Sequence, residues 1–259
     1  MQALGAVAAS PVLLKAGTFR AAWAQDPLVV SQGEGGDEDR FVFAQLRYQG
    51  GDWDPNPLAH GALVDEVMAR TSVEAARERK VLTPGSREIF SHPFLYMAGR
   101  DAFEPFREEE RENLRTFLES GGTLLADDSA GHVGGGFDAA FREEMKRLFP
   151  KRELRRLQSN HTVYRSFYLI RQVGGRRIVY PYLQGVRIGD VTPVIYCRND
   201  LGGAWEKDPA GNWVNTCEPG GEAQRQEAFK LGVNTVLYAL TANYKQDKIH
   251  LPFIKRRVG

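Results

Sequence analysis

The chain predicts a layered α/β domain, a parallel sheet with helices on both faces. Three observations predict it. Short runs of β-forming residues alternate with helical repeats from residue 41 to 149. A β-rich stretch covers 164–197, and a helix with an extended apolar side runs from about Glu222 to Asn243. Strand–helix alternation is the pattern of a parallel sheet whose crossovers are helices, and the β-rich stretch then extends that sheet or adds an antiparallel edge. One domain over 41–245 is expected, because the last helix is too apolar to stand alone.

In chain order, Phe41–Tyr48 is dense in β-formers and stops at Gly50-Gly51, which predicts a first strand. Asp54-Pro55-Asn56-Pro57 is a loop. Leu63, Val64, Val67 and Met68 recur at helical spacing and predict a helix from Leu58 toward Arg79, with a short strand at Lys80–Leu82. Phe94–Ala98 is an apolar run ending at Gly99 and reads as a buried strand. A helix is expected to begin near Pro105, with Glu108, Glu109 and Glu110 near its start and Gly121-Gly122 after its end. Thr123–Ala126 is the next buried strand, closed by Asp127-Asp128. A glycine-rich loop, Gly131–Gly136, then leads into an amphipathic helix carrying Phe137, Ala140, Phe141, Met145 and Leu148. Phe167–Arg171 and Ile178–Tyr182 flank Gly174-Gly175 and predict a hairpin. Val186–Ile188 and Val194–Cys197 add strands around the turn residues Gly189-Asp190. Residues 199–221 read as loop.

The start of the chain has a different character. Residues 2–14 are apolar and uncharged, and Ala22-Trp23-Ala24 offers a small-x-small cleavage site before Gln25. The run is too short to span a bilayer. Residues 1–24 are expected to be a cleaved export signal that sends the protein to the periplasm or outside the cell. The basic segment such a signal needs is missing after Met1, so the expected start lies upstream, with a twin-arginine route as one option. The competing reading is a buried N-terminal helix. Residues 25–40 are expected to be a flexible polar lead-in and 246–259 a C-terminal tail. Removing 24 residues leaves about 235, which suits one large α/β domain or two small ones. The 34 basic and 33 acidic side chains nearly balance, so no basic excess points to nucleic acid, and no second apolar run approaches membrane-spanning length. Cys197 and Cys217 could form one disulfide in an oxidising compartment; the other reading is two free thiols.

Several segments resemble a known family. They are Leu46-Arg47-Tyr48 with Gly50-Gly51-Asp52-Trp53-Asp54, Pro93–Tyr96, Leu118–Asp128, Gly136-Phe137-Asp138, Phe141-Arg142, Asn160-His161, Ser166-Phe167-Tyr168, Asn199-Asp200-Leu201, Leu231–Asn234 and Tyr238–Thr241. In this order they resemble the bacterial family of unknown function DUF4159. The resemblance implies a flavodoxin-like layered fold related to class I glutamine amidotransferase-like and ThuA-like domains. It does not imply their chemistry. The turn after Ala126 offers Asp127, Asp128 and Ser129 and no cysteine, so an amidotransferase nucleophile is missing.

In open α/β sheets ligands bind beyond the strand carboxyl ends. Asp52 and Asp54 follow the first strand and Asp127 and Asp128 follow another. In a flavodoxin-like order those strands lie two positions apart, about 10 Å. The four carboxylates are the candidate metal ligands, for Mg²⁺ or Ca²⁺; they are equally suited to capping turns and helices. Asp127, Asp128 and His161 are the candidate catalytic groups. Arg47, Tyr48, Asp52, Trp53, Asp54, Asp127, Asp128, Ser129 and His132 are the expected ligand-binding set. No complete catalytic constellation appears. The expectation is therefore a non-catalytic binding module with an acidic pocket, its partner an envelope protein or a carbohydrate. The alternative is a carboxylate- or metal-dependent hydrolase acting on a carbohydrate or envelope substrate.

Overall fold

The computed structural model describes residues 40–255, with side chains through Ala242. The expected export signal, and the lead-in apart from Arg40, lie outside the described residues. The strands are β1 (Ala44–Leu46), β2 (Lys80–Leu82), β3 (Phe94–Gly99), β4 (Thr123–Asp128), β5 (Arg155–Arg156), β6 (Gln184–Ile188) and β7 (Val191–Cys197). The helices are α1 (Ala59–Arg70), α2 (Glu108–Glu119), α3 (Gly136–Leu148), α4 (Leu201–Trp205) and α5 (Gly221–Lys255).

The strands form one sheet in the order β2-β1-β3-β4-β7-β6-β5. The first five run parallel. β6 and β5 add an antiparallel edge. This is a layered flavodoxin-like α/β fold; the β-rich segment supplies its last parallel strand, β7, and the antiparallel β6, while the edge strand β5 comes from just before that segment. β3 and β4 are buried along their whole length, as strands covered on both faces must be. One core packs the sheet against α1, α4 and α5 through residues such as Leu63, Trp205 and Val236. The other packs it against α2 and α3 through Leu114, Phe137 and Phe141.

Several boundaries differ from the sequence expectation. α1 stops at Arg70, where Thr71 turns extended and its hydroxyl donates to the Val67 carbonyl at 2.7 Å. Residues beyond it return to the sheet, and Ala75 bridges Phe41. α2 starts at Glu108, three residues after Pro105, and the Glu110 carboxylate accepts from the Arg107 amide at 2.9 Å. α5 continues to Lys255, through much of the stretch read as a tail. Its 35 residues span about 50 Å. No described helix is both long and apolar enough to cross a membrane.

The hairpin expected over 167–182 is not formed; the antiparallel hairpin is β6–β7, around Gly189-Asp190. Two asparagine side chains take the place of strand partners in the expected region. Asn234 Oδ1 accepts from the Phe167 and Tyr168 amides at 3.2 and 2.7 Å, and its Nδ2 donates to the Val163 and Tyr168 carbonyls. Asn199 does the same for Val179 and Tyr180, with Oδ1 at 2.9 Å from both amides. Each buried amide satisfies backbone groups that would otherwise need a ladder.

The expected disulfide is absent as well. Cys197 and Cys217 are buried free thiols, and burial pushes both above the ordinary thiol range.

Candidate functional site at the strand carboxyl ends

β4 ends in Asp127-Asp128, and β7 runs out into Arg198-Asn199-Asp200. The two strands pair in parallel, with Asp127 opposite Cys197. Side chains alternate across a sheet, so the two aspartates go to opposite faces. Asp127 joins the α1–α5 side and Asp128 the α3 side.

On the first face, Asp127 is fully buried and accepts from Tyr96 Oη at 2.8 Å, the Leu201 amide at 2.9 Å and the Gly202 amide at 2.8 Å. Asp200 is also fully buried and adopts a left-handed backbone, φ 54°. Its Oδ1 accepts from Asn56 Nδ2 and the Gly203 amide, and its Oδ2 pairs with Arg176. Both carboxylates thus cap the start of α4. Burial, then repulsion from Asp200, pushes Asp127 up to about 7, against the hydrogen bonds that favour its charge. Every oxygen of this pair has partners.

The second face is different. Asp128 Oδ1 accepts from the Ala130 amide at 3.1 Å, while the buried Oδ2 has no hydrogen-bond partner. Arg198 lies beside it, its Nε 3.8 Å from Oδ2 and likewise without a hydrogen bond. The rest of that guanidinium is fixed: Nη2 pairs with Asp138 at 2.9 Å, and the group stacks 4.1 Å over the Tyr180 ring. Asp138 in turn accepts from Arg142 Nε and Tyr196 Oη, both at 2.8 Å. Ser129 is fully buried and its Oγ is also unpaired. Burial is the first cause that lifts Asp128 to about 6; Asp138 adds to it, and the Ala130 amide, Arg198 and His132 oppose it. A buried polar group left unmatched costs about 1–3 kcal/mol, so three at one strand end are an expensive arrangement.

Two loops frame this end. Residues 131–135 follow Ser129, with Gly131 and Gly134 at positive φ and His132, Val133 and Gly134 exposed. A side chain on Gly131 would run into Arg176 and Arg177, so a glycine there lets the loop lie against the 174–182 segment. That segment is tied down by Asn199, whose Nδ2 donates to the Tyr180 carbonyl at 2.8 Å.

The other expected site residues do not join. Asp54 is held by Arg79 through two 2.6 Å contacts, and Arg79 also lies 5.9 Å over the Trp53 ring. Asp52 pairs with Arg100 at 3.1 Å. Tyr48 is core: its hydroxyl donates to the Ala98 carbonyl at 2.7 Å, and burial raises its pKa far above the usual range. Arg47 is exposed. His132 is exposed, its Nδ1 3.1 Å from the Val133 carbonyl. His161 sits at the opposite end of the sheet, its Nε2 2.9 Å from Thr192 Oγ1 near the beginning of β7.

The expected convergence of Asp52, Asp54, Asp127 and Asp128 on one metal is therefore corrected. Alternation along β4 and the arginine partners hold them apart. Among the described residues no group of three or more His, Cys, Asp or Glu side chains is placed to hold an ion such as Mg²⁺ or Ca²⁺. Nor is the end simply acidic, since Asp128 and Asp138 face Arg198 and Arg142, and Asp200 faces Arg176. Arg198, Asp138, Arg176 and Asp200 went unassigned from sequence. The rule that selected Asp127-Asp128, polar residues just past a buried strand, selects Arg198-Asn199-Asp200 equally well.

A family model described as "Domain of unknown function (DUF4159)" matches residues 42–240, and the chain belongs to that family. Comparison with curated proteins finds no match.

Proposed function

We propose that this DUF4159 domain is an exported, non-catalytic binding module of the cell envelope that takes its ligand, or a loop of a partner protein, at the carboxyl ends of β4 and β7. One observation carries the reading: Asp128 Oδ2, Ser129 Oγ and Arg198 Nε are buried at one strand end with no hydrogen-bond partner within the described residues, Asp128 and Arg198 facing each other across 3.8 Å without bonding. An acceptor, a hydroxyl and a donor together complement a hydroxyl or an amide, which gives and receives a hydrogen bond at once. Carbohydrate hydroxyls and peptide amides both meet that requirement. The glycine-bounded loop over residues 131–135 is the route of entry. Export is supported by the apolar run at residues 2–14 and the small-x-small site that follows it.

A crystal structure soaked with chitotetraose tests this. A sugar hydroxyl bridging Asp128 and Arg198 is the expected result. A direct Asp128–Arg198 hydrogen bond, with the Ser129 hydroxyl satisfied by the protein, would overturn the reading. The raised carboxyl of Asp128 supports a second reading, a carboxylate-dependent hydrolase in which this group gives a proton to a leaving oxygen. Slow release of shorter sugars from chitotetraose, lost in Asp128→Asn, favours the hydrolase; intact tetraose after prolonged incubation removes it.

A further inference from the structure

The other end of the sheet carries a second set of polar groups that the proposed site does not use. A groove of about 800 Å³ lies there, between the segment that includes β5 and the first residues of β7. A smaller one of about 260 Å³ shares Asn160, His161, Arg187 and Thr192 with it and reaches Tyr238 of α5. The larger volume lies in the range of small-ligand sites, roughly 300–1,000 Å³.

Charge in this groove is far from the near-balance of the chain. Lys151, Arg152, Arg155, Arg156 and Arg187 line it, against a single carboxylate, Glu153. Asp190 is the one acid that the smaller groove adds. Both acids already pair with cations: Glu153 with Arg155 at 3.0 Å and Asp190 with Arg187 at 3.1 Å. All four of these side chains are at least 70% exposed, so each pair holds weakly and can yield to a multivalent anion. Two other guanidiniums are aimed by the protein. Arg152 donates to the Arg187 carbonyl at 3.0 Å, and Arg156 stacks 4.5 Å over Tyr182. Uncharged hydrogen-bonding groups, Gln158, Asn160 and Thr192, alternate with the cations. His161 adds no charge at neutral pH, since burial and then Arg187 hold its pKa below the ordinary value.

Cations on an outermost strand also stop it from pairing with another chain. That accounts for Arg155 and Arg156 of β5. It does not account for Lys151, Arg152 and Arg187, which lie off that strand, or for the groove between them. Leu157 and Pro150 are the apolar side chains of the larger groove, too few to hold a lipid tail, and no Phe, Tyr or Trp lines it, which disfavours stacking of a base.

We propose that this groove binds a soluble polyanion, several phosphate or sulfate groups carried on a hydroxyl-bearing scaffold. Guanidinium forks match such oxyanions two bonds at a time, and the amide and hydroxyl side chains match the scaffold. A small phosphorylated polyol and a sulfated glycan share this chemistry.

Titration calorimetry on the full chain at 150 mM salt tests it, with inositol hexakisphosphate, a sulfated heparin hexasaccharide, neutral inositol and a poly-glutamate peptide as probes. The first or the second is expected to bind, and the tighter of the two identifies the source. Arg155→Ser/Arg156→Ser and Arg187→Ser should each weaken binding at least tenfold. Arg77→Ser, an exposed cation at the far side of the sheet order, should leave it unchanged. Equal binding of poly-glutamate, equal loss in Arg77→Ser, or no binding of either polyanion would each overturn the proposal. Asp128→Asn should not affect it, so failure here is separate from failure at the strand carboxyl ends.

Discussion

The two ends of the sheet solve opposite problems. At the carboxyl end the charged groups are buried and held by the protein itself: Asp127 by two amides and a tyrosine, Asp200 by Asn56, Gly203 and Arg176. At the amino end of β7 the cations stand in solvent and are paired only loosely. The contrast separates two meanings of a polar residue. A buried carboxylate with all its partners present is part of the framework. An exposed charge with weak partners contributes little to folding and is free to meet a ligand. Between them stands Asp128, buried like the first kind and half-satisfied like neither.

The largest expected effect breaks the framework side of that contrast. Asp127→Ala leaves the Leu201 and Gly202 amides and the Tyr96 hydroxyl without their acceptor in the core. A loss of about 3–5 kcal/mol is expected, the range for stripping partners from several buried donors. Asp52→Ala, which removes a partly exposed pair with Arg100, should cost no more than about 1 kcal/mol. Urea unfolding of both variants checks the ordering. If Asp127→Ala costs as little as Asp52→Ala, the start of α4 does not depend on this carboxylate.

What the sequence reveals follows the same division. β3 and β4 are legible because strands buried on both faces must be continuous apolar runs. The β6–β7 hairpin is legible from its turn residues. The 167–182 region misleads because Phe167, Tyr168, Val179 and Tyr180 have strand-like composition while their amides bond to single asparagine side chains, Asn234 and Asn199. A clamp of that kind joins residues 19 to 67 positions apart and leaves no local pattern. At the site, Asp127 and Asp128 are adjacent in sequence, yet alternation sends them to opposite faces with different partners. Position past a buried strand identifies polar residues worth inspecting; which oxygens find donors is decided by Tyr96, Leu201 and Arg198, from other elements.

Asp128→Asn is the next effect in size and tests the intermediate case. The folded carboxyl titrates at about 6 against an ordinary 3.8, so between those values the native state holds more proton than the unfolded chain. Stability from this group is complete below the ordinary carboxylate value and falls as pH rises through about 6. The difference corresponds to at most about 3 kcal/mol, and roughly 1–3 is a realistic range for one buried group. Asp127 acts in the same direction up to about 7. Asp128→Asn should therefore be more stable than the parent at pH 8 and should lose part of the decline between pH 4 and 6, while its chitotetraose binding weakens. Thermal melts across that range decide it. An unchanged slope would mean that Asp128 titrates normally and is not the strained group the geometry describes.

The smallest expected change lies at the open end and is informative for being small. Arg155 is paired only with an exposed glutamate, and Arg156 stacks on Tyr182 at the surface. Arg155→Ser/Arg156→Ser should shift unfolding by no more than about 1 kcal/mol. The double variant distinguishes two uses of the same cations. If they only guard β5 against pairing with another chain, the variant should self-associate at high concentration by sedimentation velocity. If they serve the groove, it should keep the association state of the parent and lose the polyanion. Groove cations off the strand, such as Arg187, should then matter for binding and not for association, which no edge-protection role would produce.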